Sequence, residues 1–82
     1  MKTFKDLIFE EQEFYPHANQ AVMWFPNGYG VSVLCGDAVY SNGVDTYEIA
    51  IMTDNKIEEV FGYRTEEEVS EIMREVQERE TI

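Results

Sequence analysis

Positive charge is scarce in this chain of 82 residues: six lysines and arginines stand against seventeen aspartates and glutamates, a formal net charge of −11. An excess of that sign argues against direct binding to DNA, RNA or an anionic membrane, because those surfaces would repel it. Cysteine is scarcer still. Cys35 is the only one, so no internal disulfide forms, and a structural zinc site of the usual Cys/His kind lacks ligands. A lone thiol suits a reducing cytoplasm, which is the expected location. Long apolar runs are missing too. The opening "MKTFKDLIFEEQEF" holds only the run "LIF", short of the roughly 7–15 residues of a signal-peptide core. No stretch nears the roughly 20 apolar residues of a membrane span.

What is present points to a folded body. The chain is 44 % hydrophobic, with one tryptophan, five tyrosines and five phenylalanines, too apolar for a disordered acidic tail. Residues 1–82 make a single domain. A chain this small buries only about 60 % of its unfolded surface, so its stability is expected to be modest.

The residues read in order as strands followed by a helix. In "TFKDLIFEEQEF", Phe4, Leu7 and Ile8 fit helical spacing while "LIFEE" fits a strand; a short helical turn and then an extended piece from Ile8 to Phe14 is expected. "YPHANQ" interrupts it, since a residue before proline avoids the helical region. "QAVMWF" reads as a strand, and "PNG" closes a hairpin, with Gly28 suited to the left-handed conformation. The return strand "YGVSVLCG" puts Val31, Val33 and Cys35 on one side, pointing into the core, and Ser32 and Leu34 on the other. Asn42-Gly43 is a second hairpin signal. "TYEIAIM" alternates Tyr47, Ile49 and Ile51 against Glu48, Ala50 and Met52, and "IEEVFGY" reads as a last strand after the loop "TDNK".

Thr65 opens the clearest element. Glu68 follows it by three residues, as in a capping box, and Val69, Ile72, Met73 and Val76 form one apolar stripe. The spacing predicts a helix over 66–79. The expected fold is α+β: an antiparallel β-meander of four to five strands with one C-terminal α-helix packed on one face. Trp24, Phe25 and Met52 are expected to line the face left bare.

"FPNGYGVSV", "YEIAI" and "GYRTEEEV", over residues 25 to 77, resemble a group of small acidic proteins encoded by bacteriophages. The group shares an NGYG-x-S-V strand, a Y-E-x-A strand and a G-Y-x-T-E-E-E-V helix start. Its members often carry a longer insert before that "GY" than the "TDNKIEEVF" found here. The resemblance implies a phage origin and a compact domain; the group carries no assigned chemistry.

Catalysis has little to draw on. General acid–base or nucleophilic work usually needs a histidine held by a carboxylate beside a nucleophile. His17, the one histidine, lies in a turn, and Cys35 in register with Val31 and Val33 reads as a core thiol. No phosphate-binding, metalloprotease or hydrolase string occurs, and no EF-hand loop fits "DTYE" or "TDNK". The expectation is a non-enzyme with no catalytic residue, cofactor or metal site. The aromatics do not suit a base-stacking platform, which sits in a positive groove.

The carboxylates remain. Glu66, Glu67 and Glu68 fall in the first helical turn, where the macrodipole favours them. Glu67, Glu71, Glu75 and Glu78 run down one helix face, where like charges at i,i+4 cost roughly 0.2–0.5 kcal/mol per pair. Arg74 and Arg79 relieve part of that cost, so a mixed solvated face is the plainer reading. The sharper reading is a partner surface made of Glu67, Glu71, Glu75 and Glu78, with Asp37 and Asp45 beside the hairpins. The function then expected is that of a phage-encoded acidic inhibitor of a host nucleic-acid-binding protein, serving anti-defence or host takeover as a DNA mimic or an anti-CRISPR-like protein. The competing expectation is a structural module that works as a homodimer.

Overall fold

The computed structural model describes residues 1–12, 18–36, 39 and 41–82. Five strands form one antiparallel sheet in chain order: β1 (Glu10–Glu11), β2 (Ala18–Trp24), β3 (Gly30–Gly36), β4 (Tyr47–Met52) and β5 (Ile57–Arg64). One helix, α1 (Glu66–Gln77), packs on a single face. The α+β meander read from the turn spacing is the fold observed.

Alternation makes the two sheet faces different. Register sets Met23, Val31, Ile51 and Glu59 in one cross-strand row and Ala21, Val33, Ile49 and Phe61 in the next, both facing the helix. Val31, Val33, Ile49 and Ile51 meet Val69, Met73 and Val76 in a core where each side chain is almost fully removed from water. Burial of each contributes about 1.5–3 kcal/mol. The opposite face carries the rows Trp24–Gly30–Met52–Ile57 and Val22–Ser32–Ala50–Val60. Among the described residues no helix covers these.

Both ends of the chain are tied to this body. A 3-10 turn at Phe4–Asp6 lies beside α1, with the Phe4 N–H donating to Ser70 Oγ at 3.0 Å. The Lys2 N–H donates to Gln77 Oε1 at 2.9 Å, and Gln77 Nε2 donates back to the Lys2 carbonyl at 2.7 Å. The rings of Phe4 and Phe9 stack around Tyr47, with centroids 4.9 and 5.8 Å away. At the other end the Ile82 N–H reaches the Asn27 carbonyl at 3.0 Å.

Three expectations change. Phe25 is not on the bare face: it is 6 % exposed and belongs to the core. β2 stops at Trp24, and the Phe25 N–H turns back to the Tyr29 carbonyl at 2.8 Å, which leaves strand alternation behind and swings the ring under the helix. Asn42-Gly43 does not close a two-residue hairpin. It sits in a longer connection between β3 and β4, where Asn42 Oδ1 accepts the N–H groups of Val44, Asp45 and Thr46 at 2.9–3.0 Å. Cys35 is only half-buried, because it lies where β3 leaves the core under the helix. The extended piece predicted to run to Phe14 is seen as β1 alone; Phe14 lies outside the described residues.

Candidate interaction surface

The helix is set by local chemistry. Thr65 Oγ1 accepts the Glu68 N–H at 3.2 Å, and Glu68 Oε1 accepts the Thr65 N–H at 3.0 Å. That second bond holds the Glu68 carboxyl below its ordinary pKa, with smaller help from the Thr65 hydroxyl and Arg64. Val69, Met73 and Val76 are completely buried, and this fixes which side of the helix faces water. Glu67, Glu71, Glu75 and Glu78 are all exposed, and Glu71 and Glu75 also border the hollow between the helix and β5. The structure therefore brings together four of the six carboxylates singled out from the sequence.

Asp45 stands apart. It is exposed in the β3–β4 connection, where its Oδ1 accepts from Asn42 Nδ2 at 2.7 Å. It shares with Glu66, at the start of α1, an influence on Tyr47: burial first, then the Glu66 charge, Cys35 and Asp45 raise the phenol's pKa. Asp37 lies outside the described residues.

A groove runs between α1 and the outer side of the sheet, with a volume of about 380 Å³. Ile51, Phe61 and Ile72 form its floor, and Glu59, Glu71, Glu75 and Arg79 its rim. Arg79 Nε meets Glu75 Oε1 at 3.1 Å and its Nη2 meets Glu59 Oε2 at 3.9 Å, while its guanidinium lies over the Tyr29 ring at 5.2 Å. Glu75 is the main reason that the arginine's pKa rises. Such partly exposed pairs contribute about 0–1 kcal/mol each. Three carboxylates thus face one guanidinium already engaged by two of them, and the rim stays negative. Glu59 was not among the residues picked from the sequence. Its facing depends on register shifts in the β4–β5 pairing, and "IEEVFGY" carries no local signal for those.

Other chemistry is thin. Cys35 borders a second hollow, of about 340 Å³, with Phe4, Leu7, Phe9 and Tyr47, and takes a long contact from Ser41 Oγ at 3.6 Å. His17 lies outside the described residues. Among the described residues no three His, Cys, Asp or Glu side chains are grouped to hold a metal ion, and no helix is long and apolar enough to cross a membrane. No protein-family model, curated protein or solved structure matches this chain.

Proposed function

We propose that this chain is a non-enzymatic, phage-encoded binding protein that blocks a host nucleic-acid-handling protein by setting its acidic helix face against that protein's basic surface. One observation carries the reading: Glu67, Glu71, Glu75 and Glu78 stand in water on a helix whose other side is locked into the core through Val69, Met73 and Val76. Their backbone is fixed before any partner arrives, so little ordering entropy is lost on docking. Residues spaced by three and four on a helix are neighbours, so the four carboxylates form a linear row of negative charge. A basic cleft receives a comparable row from a phosphate backbone. The resemblance to small phage proteins supplies a setting, interference with host defence or host takeover. An anti-CRISPR role or DNA mimicry would be instances of it.

Opposite charge speeds such an encounter, and salt weakens it. The test is capture of partners from host lysate at low and at high salt, followed by challenge with duplex DNA. The expected partner binds nucleic acid, is released by high salt and by DNA, and is lost when Glu71→Lys and Glu75→Lys are combined. Partners without basic surfaces whose binding ignores salt would overturn the proposal, as would undiminished capture by the double variant.

A second reading rests on the uncovered sheet face. Val22, Trp24 and Val60 are each about half exposed there, as expected if a second copy of an accessory module covers them. Light scattering decides it: a stable dimer with no host partner favours the accessory role. The −11 charge carried by each copy opposes such pairing.

A further inference from the structure

The geometry points to the free edge of β5 as a docking site for an extended basic segment of the partner, joined to the sheet as an added strand. β5 is one of the two outermost strands, and among the described residues no backbone hydrogen bond from a turn or loop reaches Ile57–Phe61. Such an edge presents a row of backbone donors and acceptors to any strand that can lie beside it. At the opposite edge β2 is partly covered. There β1 pairs with Asn19 and Gln20, and the Gln12 N–H bonds the Ala18 carbonyl. The N-terminal Met1, Lys2 and Lys5 share a hollow with Met23 and Trp24, which places lysines beside the outer part of β2.

Charge selects what can join β5. Glu58 and Glu59 sit on the strand, and Glu71 and Glu75 overlook it from α1. Carboxylates on an edge guard against unwanted pairing, but this guard has one sign. It repels a second copy of the same acidic chain and attracts a cationic strand. Side-chain alternation narrows the occupant further. On the helix side, an added strand would place every second residue over the groove rimmed by Glu59, Glu71 and Glu75. On the other side its remaining residues would meet Ile57 and Val60, which are 62 % and 47 % exposed. The matching sequence alternates lysine or arginine with apolar residues. Pairing runs along Ile57–Phe61, around the one-residue irregularity between Ile57 and Glu59; beyond it Tyr63 has a left-handed backbone (φ 53°) and the β4–β5 register shifts again, which ends the ladder.

This inference rests on the proposal that the partner is basic, and adds where it binds and in what conformation. The test titrates a short capped peptide of alternating lysine and valine into the intact protein, following amide hydrogen exchange and affinity. Two further peptides serve as controls: one N-methylated on alternate backbone nitrogens, one with glutamate in place of lysine. The expected result is added protection confined to Ile57–Phe61. N-methylation should weaken binding at least tenfold, the loss of two or three hydrogen bonds worth about 1 kcal/mol each. The glutamate peptide should not bind, and Glu71→Lys should weaken the lysine peptide without unfolding the protein, since Glu71 is exposed and outside the salt bridges of the described residues. Equal binding of the N-methylated peptide, with changes confined to α1, would overturn the edge site and leave the acidic-helix proposal standing. Failure of every basic peptide to bind overturns it as well. So does concentration-dependent dimerisation that protects the same amides without peptide.

Discussion

The two faces of the sheet share the same backbone yet carry opposite solutions to one problem. On the helix side the central strands present Val31, Val33, Ile49 and Ile51, and a helix is needed to cover them. On the open side the same strands present Gly30, Ser32, Ala50 and Met52, and three of these four are small. Ser32 and Ala50 are both buried without a covering layer, since their outer neighbours Val22 and Val60 are larger. Gly30 illustrates the economy: a Cβ there would come within 2.6 Å of the Trp24 ring, which lies across the glycine as its cross-strand partner. A small protein can thus leave one face without a second layer when its central residues expose little apolar area. The acidic groups follow the same division, with the helix row on the outside of the covered face and Glu59 at the rim between the layers.

The largest effect should come from removing volume on the covered side. Met73 is fully buried between sheet and helix, and Met73→Ala should cost about 2–5 kcal/mol in urea unfolding. Val60→Ala on the open face should cost about 0.5 kcal/mol, as surface changes usually do. For a domain expected to be only modestly stable, the first variant approaches complete unfolding and the second does not. Equal losses would show that the open face is packed against something in solution, and the contrast between the faces would collapse.

A middle-sized effect tests how the helix is held at its far end. Asn27 Nδ2 donates to the carbonyls of Val76 at 2.9 Å and Arg79 at 3.1 Å, and its Oδ1 accepts the Tyr29 N–H at 3.2 Å. The side chain therefore ties the β2–β3 turn to the end of α1. Asn27→Ala removes these bonds, at a cost of about 1–3 kcal/mol in all, although the Val76 carbonyl keeps the Arg79 N–H. Faster hydrogen exchange in the last turn of α1, with the sheet amides little changed, would locate the loss; uniform acceleration would mean that the contact serves the whole fold.

These contacts mark what could be read without coordinates. The helix was legible because its determinants are local: Thr65 and Glu68 are three residues apart, and the apolar stripe repeats every turn. Strand order was legible because the β2–β3 and β4–β5 connections are short and hold turn signals. Asn27 was legible only as a turn residue; its helix partners lie 49 and 52 residues away. Phe25 was misplaced because strand alternation was carried one residue past the strand's end. Cys35 was misplaced because periodicity gives a face and says nothing of where the covering helix stops. The candidate surface divides in the same way. Glu67, Glu71, Glu75 and Glu78 came from helical spacing alone. Glu59, their neighbour across the groove, depends on a strand register that no nearby residue announces, and Asp45 stands apart in the β3–β4 connection.

The smallest expected effect concerns pH, and it isolates the capping carboxylate. Glu68 is held below its ordinary value of 4.5 by the Thr65 N–H, and Asp6 is held low by the Thr3 N–H in the same manner. A carboxyl depressed in the folded state binds fewer protons there than when unfolded. Its stabilisation is therefore complete above the ordinary value and lost as pH falls through the folded one. Acidification from neutral pH should thus leave this contribution level until the capping carboxylates begin to protonate. Glu68→Gln keeps an oxygen for the Thr65 N–H but removes the titrating charge. The wild type should be more stable than this variant at neutral pH, and the gap should close in acid, as measured by urea unfolding across that range. A gap that stays constant would mean that Glu68 contributes through its hydrogen bond alone.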